Sequence, residues 1–306
     1  MNSGASNFAQ GVDMAFYVIL GISVFFLVGI TATMIWFVIR YNRKRNPVAK
    51  NIKDNTKLEI IWTVIPTILV LVMFYYGWIG YMPMKRVPNG ALEVKATGRM
   101  WSWQFDYENG KSSNILVVPL NKPVKLNLYS PDVLHSLYIP AFRIKEDVVP
   151  GLNNTMWFTP TKLGEYDILC AEYCGIQHSY MLSKVKVISE QEYLTWYNEK
   201  APESDTLEAV GMQVIKRLGC VACHSQDGSK IVGPTFKALY GSTRKVTLPD
   251  GSTKEVKADD DYIKLSINDP NAEVVDGYQK NLMQSYKTQL NDEEIKEVIE
   301  YLKGLK

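Results

Sequence analysis

Cys170-Ala171-Glu172-Tyr173-Cys174-Gly175-Ile176-Gln177-His178-Ser179-Tyr180-Met181 gathers two thiols, an imidazole and a thioether into twelve residues. His135, in Asp132-Val133-Leu134-His135-Ser136, comes from a separate loop upstream. Thiolate and thioether sulfur favour copper, and one Cys, two His and a weak axial Met make an electron-transfer copper site. This chain offers one cysteine more than that set needs. Two other readings compete. Two Cys and two His also suit a structural zinc, although zinc modules pair their ligands as Cys-x2–4-Cys and His-x3–5-His, and here the histidines stand far apart on either side of the cysteines. A disulfide between Cys170 and Cys174 is the third, open to a chain in an oxidising compartment. Neither gives Met181 a part.

The surroundings suggest the host for such a site. From 92 to 188 apolar and polar residues alternate as in half-buried strands, with turns signalled by Glu108-Asn109-Gly110, Asn121-Lys122-Pro123 and Pro150-Gly151. The pattern predicts an antiparallel β-sandwich over 91–188. Trp101, Trp103, Phe105 and Tyr107 share one face of a strand, and Ser102, Gln104 and Asp106 the other. A sandwich core face accounts for that alternation by itself.

Toward the N-terminus, residues 14–39 carry no charge, which is longer than the roughly 20 apolar residues that cross a bilayer core. Residues 58–82 form a second such run with one charge, Glu59, at its start. Between them lie Arg40, Arg43, Lys44, Arg45, Lys50, Lys53 and Lys57 against Asp54 alone, while residues 1–13 hold no Lys or Arg. The positive-inside rule then puts the loop in the cytoplasm and everything after Met82 on the outer face, periplasmic in a Gram-negative cell. A cleaved signal peptide is the rival reading of the first run, but its start would be positively charged. The expected organisation is a transmembrane hairpin over 1–90, the sandwich over 91–188, a helix and linker over 189–205, and a further domain over 206–306.

That last domain contains Cys220-Val221-Ala222-Cys223-His224. Cys-x-x-Cys-His is the attachment motif for c-type heme: the thiols form thioethers and the His ligates iron. A sixth ligand is needed, no His remains after the motif, and Met283 is the only Met there. Ser189 and Glu192 make a capping-box pattern for a helix reaching about Lys200, and the 201–205 segment breaks it. A helix with Leu207, Val210, Met212 and Ile215 precedes the motif, and one from Asn291 presents Ile295, Val298, Ile299 and Leu302 on one face. Pro249-Asp250-Gly251 suggests an inserted hairpin. All 4 cysteines and all 3 histidines thus fall into two clusters. A net charge of +2 with 22% charged residues argues against a disordered tail or a nucleic-acid binder.

With His135 in Asp-Val-Leu-His-Ser, then Val149-Pro150-Gly151 and Cys-x-Glu-x-Cys-Gly-x-x-His-x-x-Met, the chain resembles subunit II of the heme-copper cytochrome c oxidases. Its C-terminal part resembles a small class I cytochrome c, and the two together are similar to oxidases whose subunit II is fused to a cytochrome. The resemblance implies a cupredoxin-like sandwich in which Cys170 and Cys174 bridge two coppers of a dinuclear CuA centre. His135 and His178 would each bind one copper, with Met181 and the Glu172 carbonyl completing the set and the Glu172 side chain reaching a magnesium ion shared with subunit I. Trp101 matches the family's electron entry point and Glu59 its acid at the mouth of a proton path, while Pro234 would accept the N–H of His224. Two departures stand out: Ile168 where most relatives have Gly, and Gln284 where Pro usually follows the axial Met, leaving that loop less stiff.

The implied activity is an oxygen-reducing, proton-translocating cytochrome c oxidase in a bacterial cell membrane, whose oxygen site lies on another subunit. Electrons would arrive from an upstream cytochrome c or quinol-oxidising complex, enter at heme c, pass to CuA and leave to subunit I. The remaining partners would be other oxidase subunits and the membrane. A CuA subunit of a nitric oxide reductase and a stand-alone membrane shuttle are the alternatives. A nitrous oxide reductase would need a large His-rich domain, and a copper chaperone has no use for a covalent heme.

Overall fold

The computed structural model describes residues 4–48, 51–199 and 207–306. Lys50 of the basic loop and the 201–205 linker lie outside the described residues. Two helices, α1 (Ala9–Arg40) and α2 (Thr56–Tyr81), lead the chain and pack against each other. Both are long and apolar enough to cross a membrane. Their apolar side chains stay open, Phe25 being 73% exposed, and a continuous surface of that kind calls for a lipid or protein cover. Asn55 caps α2 by accepting from the Leu58 N–H.

One end of this hairpin is tied to the β-sandwich. The Ala5 N–H donates to Ala141 O and the Thr161 N–H to Ala5 O, both at 2.9 Å, while the Trp157 indole donates to Pro83 O at 3.1 Å. The start of α1 and the exit of α2 are therefore fastened to the sandwich, and the basic loop lies at the opposite end.

The sandwich is built from β1 (Leu92–Arg99), β2 (Ser102–Tyr107), β3 (Ser112–Ser113), β4 (Leu116–Pro119), β5 (Val124–Tyr129), β6 (His135–Ile139), β7 (Ile144–Val148), β8 (Asn154–Phe158), β9 (Gly164–Cys170) and β10 (Leu182–Ile188). They form two sheets, ordered β3-β2-β1-β5-β8 and β4-β10-β9-β6-β7. Most neighbours are antiparallel. Two pairs, β1 with β5 and β4 with β10, run parallel, a detail that side-chain alternation cannot carry because it is the same in either direction. In β2 the predicted faces separate as expected: Trp103, Phe105 and Tyr107 are buried, and Ser102, Gln104 and Asp106 are half-buried. Phe105, Leu126, Leu137 and Phe158 are fully enclosed between the sheets, as is Ile168.

The capping box at Ser189 and Glu192 opens α3 (Glu190–Asn198). Beyond it come α4 (Leu207–Arg217), β11 (Thr243–Thr247), β12 (Thr253–Lys257), α5 (Asp260–Asn268), β13 (Val274–Val275) and α6 (Asp292–Gly304). The inserted hairpin is present as β11 and β12, with Val246 opposite Lys254. Strand β13 joins it at Val246, being too short to leave a periodic signal. Helix α6 buries Ile295, Val298, Ile299 and Leu302 as its spacing predicts, and opens on a second capping box at Asn291.

Helices α4 and α6 cross at Gly211, where a Cβ would fall 2.0 Å from Glu297 O and 2.9 Å from Tyr301 Cβ. The backbones approach so closely that any side chain must push them apart. Gly211→Ala is expected to cost about 1–3 kcal/mol of stability through overpacking. Thermal unfolding of the purified protein checks this, and an unchanged melting temperature would show that the crossing tolerates separation.

Candidate metal centres

The first cluster is set by the pairing of β6, β9 and β10. Leu137 pairs with Cys170, the Ala171 N–H donates to Ser136 O at 2.9 Å, and His135 therefore faces the end of β9. The loop after Cys170 returns on itself: the Cys170 N–H donates to Met181 O at 3.3 Å and the Met181 N–H to His178 O at 3.2 Å. Five soft or borderline donor atoms converge as a result. Cys170 Sγ lies 3.8 Å from Cys174 Sγ and 3.9 Å from His135 Nδ1. Cys174 Sγ lies 3.5 Å from His178 Nδ1 and 3.8 Å from Met181 Sδ. The Glu172 carbonyl points the same way, 3.3 Å from Cys170 Sγ. His135 and Met181 are fully buried.

The two sulfurs are far beyond the roughly 2.05 Å of a disulfide, and both cysteines are free. Burial pushes both thiols up. At Cys170 the His135 ring and backbone hydrogen bonds outweigh it and bring the thiol down, whereas burial and the neighbouring Cys170 charge hold Cys174 high. One thiolate thus suppresses the other, and a cation between them would let both ionise. The donor set fits a soft metal ion.

His135 is oriented by a residue that carries no signal of its own in the copper motif. Asp132 Oδ1 stands 2.8 Å from His135 Nε2, and because a carboxylate only accepts, the ring carries its proton there and turns Nδ1 toward Cys170. The same carboxylate accepts from Val133 N–H at 2.6 Å and Met100 N–H at 2.7 Å. Burial works against its charge, but these bonds and His135 outweigh it and lower its pKa. One clue to it does stand in the sequence: an acid three residues before a ligand His, the kind of partner that commonly fixes a metal-bound imidazole.

Trp101 is buried just ahead of β2, and its indole donates to Cys174 O at 3.1 Å. Gly175 follows Cys174 at φ +117, with its missing Cβ only 3.0 Å from Trp101 Cζ2. Glu59 lies elsewhere, exposed in the first turn of α2 at the hairpin end away from the sandwich.

The second cluster lines an open cavity of about 1400 Å³, mouth included, in the C-terminal region. Cys220, Cys223, His224 and Met283 all face it. Cys220 and Cys223 sit on a tight turn in which the His224 N–H donates to Cys220 O at 3.0 Å. His224 Nδ1 is 2.7 Å from Pro234 O, and its ring stacks on Phe236 at 4.6 Å. Burial lowers the His224 pKa and keeps the imidazole neutral, and burial pushes the thiols of Cys220 and Cys223 up to about 12 and about 11. A neutral imidazole held by one nitrogen, with the other free toward an apolar cavity containing a thioether, fits a flat iron macrocycle.

Three family descriptions match the chain: cytochrome c oxidase subunit II, transmembrane domain, over 1–77; cytochrome c oxidase subunit II, periplasmic domain, over 109–188; and cytochrome c over 209–306. Cytochrome c oxidase subunit 2 of Alkalihalophilus pseudofirmus is 32% identical over 305 residues, covering 94% of this chain and 86% of that one. The chain belongs to the cytochrome c oxidase subunit II family. The subunit 2 of Cereibacter sphaeroides is 29% identical over 210 residues, 56% of this chain and 69% of its own. Among solved structures, the periplasmic domain of subunit II of Bradyrhizobium japonicum cytochrome oxidase is 33% identical, covering 36% of this chain and 94% of that one with a TM-score of 0.35. Membership in this family implies CuA copper in the sandwich and heme in the cytochrome c region.

Within such a subunit II, Gly175→Ala would force a side chain into a left-handed conformation against the Trp101 indole. Strain of that type costs roughly 1–3 kcal/mol, and it falls on the turn between Cys174 and His178. The variant is expected to hold copper less tightly than the parent, read by competitive chelator titration. Equal affinity would mean that the turn does not set the ligand geometry.

Proposed function

We propose that this chain is the CuA- and heme c-bearing, electron-accepting subunit of a respiratory cytochrome c oxidase. The convergence of five side-chain donor atoms around the Cys170–Cys174 pair carries the reading. Cys170 and Cys174 would bridge two coppers, His135 and His178 would bind one each through Nδ1, and Met181 and the Glu172 carbonyl would complete the set. Cys220 and Cys223 would hold the heme covalently, with His224 and Met283 on its iron. When bound, these groups supply one-electron carriers, so that electrons taken up in the C-terminal region reach the sandwich and then subunit I for reduction of oxygen to water.

The protein side of that function lies in orientation and exclusion of water. Asp132 fixes the His135 tautomer and Pro234 does the same for His224, leaving one nitrogen of each ring for metal. A closely packed sandwich limits movement of the copper ligands during a change of charge. For Trp101, support for the electron entry role is its position: its indole bonds to the Cys174 carbonyl, while its neighbour Met100 lines the C-terminal cavity.

The membrane placement rests on the basic loop at one end of the α1–α2 hairpin and the sandwich at the other, which by the positive-inside rule puts both metal centres outside the cell membrane. Glu59 then stands at the cytoplasmic side, where an acid at the mouth of a proton path would be required. The Glu172 carboxylate would reach a magnesium ion shared with subunit I.

Metal analysis and electron-spin resonance of the purified complex test the reading. The expected result is two coppers and one heme per chain, with a seven-line copper hyperfine pattern from an electron shared by two equivalent nuclei. Zinc in place of copper, or a four-line pattern from a single copper, would overturn it.

A further inference from the structure

Two residues that are not themselves ligands tie the metal centres to each other. Asp132 is nearly enclosed, its side chain 6% exposed, and it holds His135 through Oδ1. Its other oxygen, Oδ2, accepts from the backbone N–H of Met100 and from the side-chain amide of Gln284. A carboxylate cannot donate, so the Gln284 amide must present its nitrogen. Gln284 directly follows Met283, and Met100 lines the same cavity as Met283. One carboxylate therefore holds three things at once: the ring of a copper ligand, the backbone of the β1–β2 turn, and the residue next to the sixth heme ligand.

The contacts around this point are close. Arg99 Nη1 donates to Gln289 Oε1 at 2.6 Å, across the same junction. Gly219, just before Cys220, lies so near β2 that a Cβ would fall 2.3 Å from Ser102 Oγ. Cys223, Val232 and Leu282 pack, half-buried, against the sandwich core.

We propose that Gln284 is a positioning residue which latches the Met283 loop onto Asp132, so that docking of the C-terminal region and the orientation of His135 depend on one shared carboxylate. The proposal rests on the ligand assignments made under the proposed function. It also gives Gln284 a reason to stand where proline would otherwise stiffen the loop: proline has no side-chain donor, whereas glutamine exchanges local stiffness for a fastening to the other domain.

The latch has a chemical consequence. Each donor to Asp132 draws off negative charge, and so weakens the pull of that carboxylate on the His135 Nε2 proton. Removing the Gln284 donor makes Asp132 a stronger acceptor and His135 a more electron-rich ligand, which favours the oxidised metal.

The test uses the full chain in its purified oxidase, comparing Gln284→Leu, which fills the space without a donor, with Gln284→Lys, which restores one. With leucine, amide exchange in peptides spanning Met100 and the Met283 loop should rise roughly tenfold or more, the factor carried by one hydrogen bond to a charged group. The copper midpoint potential should shift downward. With lysine, exchange should stay near that of the parent and the potential should not fall. The latch is refuted if leucine changes neither quantity, or if lysine behaves as leucine does. Should leucine block heme attachment, lysine alone remains decisive: loss of protection at Met100 with a donor in place overturns the proposal. Exchange needs neither metal, so a missing copper signal counts against the ligand assignments while the exchange data still decide the latch.

Discussion

Two thiols buried 3.8 Å apart are an electrostatic problem that the rest of the sandwich is arranged to pose. Left to themselves, only one of them ionises, because the first thiolate suppresses the second and both are taken out of water. Keeping them together needs backbone that does not relax. The β6–β9 pairing fixes Cys170 opposite Leu137, and the loop from Cys170 to Met181 is closed by hydrogen bonds at both ends. A cation resolves the repulsion, and the surrounding imidazoles and thioether decide which cation is suitable. The fold thus supplies the geometry in advance, and the metal supplies the charge.

Outside that pair, the structure relies on a few acceptors that each serve several donors. Asp132 satisfies a ligand histidine, two backbone amides and a side-chain amide. Pro234 O fixes one nitrogen of His224, and Phe236 fixes the plane of its ring. These interactions are individually modest, about 1 kcal/mol for a neutral hydrogen bond and more where one partner is charged. Their weight comes from burial, since a rotated His135 would leave one oxygen of a nearly enclosed carboxylate short of a donor.

How legible each feature is in the sequence depends on how local its signal is. The two apolar helices, the alternating β2 face, the capping box at Ser189 and the hairpin of β11 and β12 are written in runs of a few residues, and all appear in the structure. The ligand candidates are legible because soft side chains are scarce and clustered. Parallel pairing of β1 with β5 is not, since strand direction leaves no mark on alternation, nor is β13, with two residues. The link between Asp132 and Gln284 escapes a sequence reading for a different reason. An acid three residues before a ligand His and a Gln in place of a Pro can each be noticed alone, but the contact between them exists only once segments 152 positions apart are brought together.

That long-range contact bears on the charge balance of the molecule. A soluble redox partner must be found by diffusion, and strong complementary fields accelerate the search. Here the heme-motif region comes after the sandwich in the same chain, and attachment in one chain raises the effective concentration of one partner at the other, to the order of millimolar where the link is short. Under that condition a handful of hydrogen bonds and a close glycine contact hold the docked arrangement, and no ring of opposite charges is needed. A chain of net charge +2, with its junction built from Arg99, Gln289, Asp132 and Gln284, has the composition such a tethered pair requires.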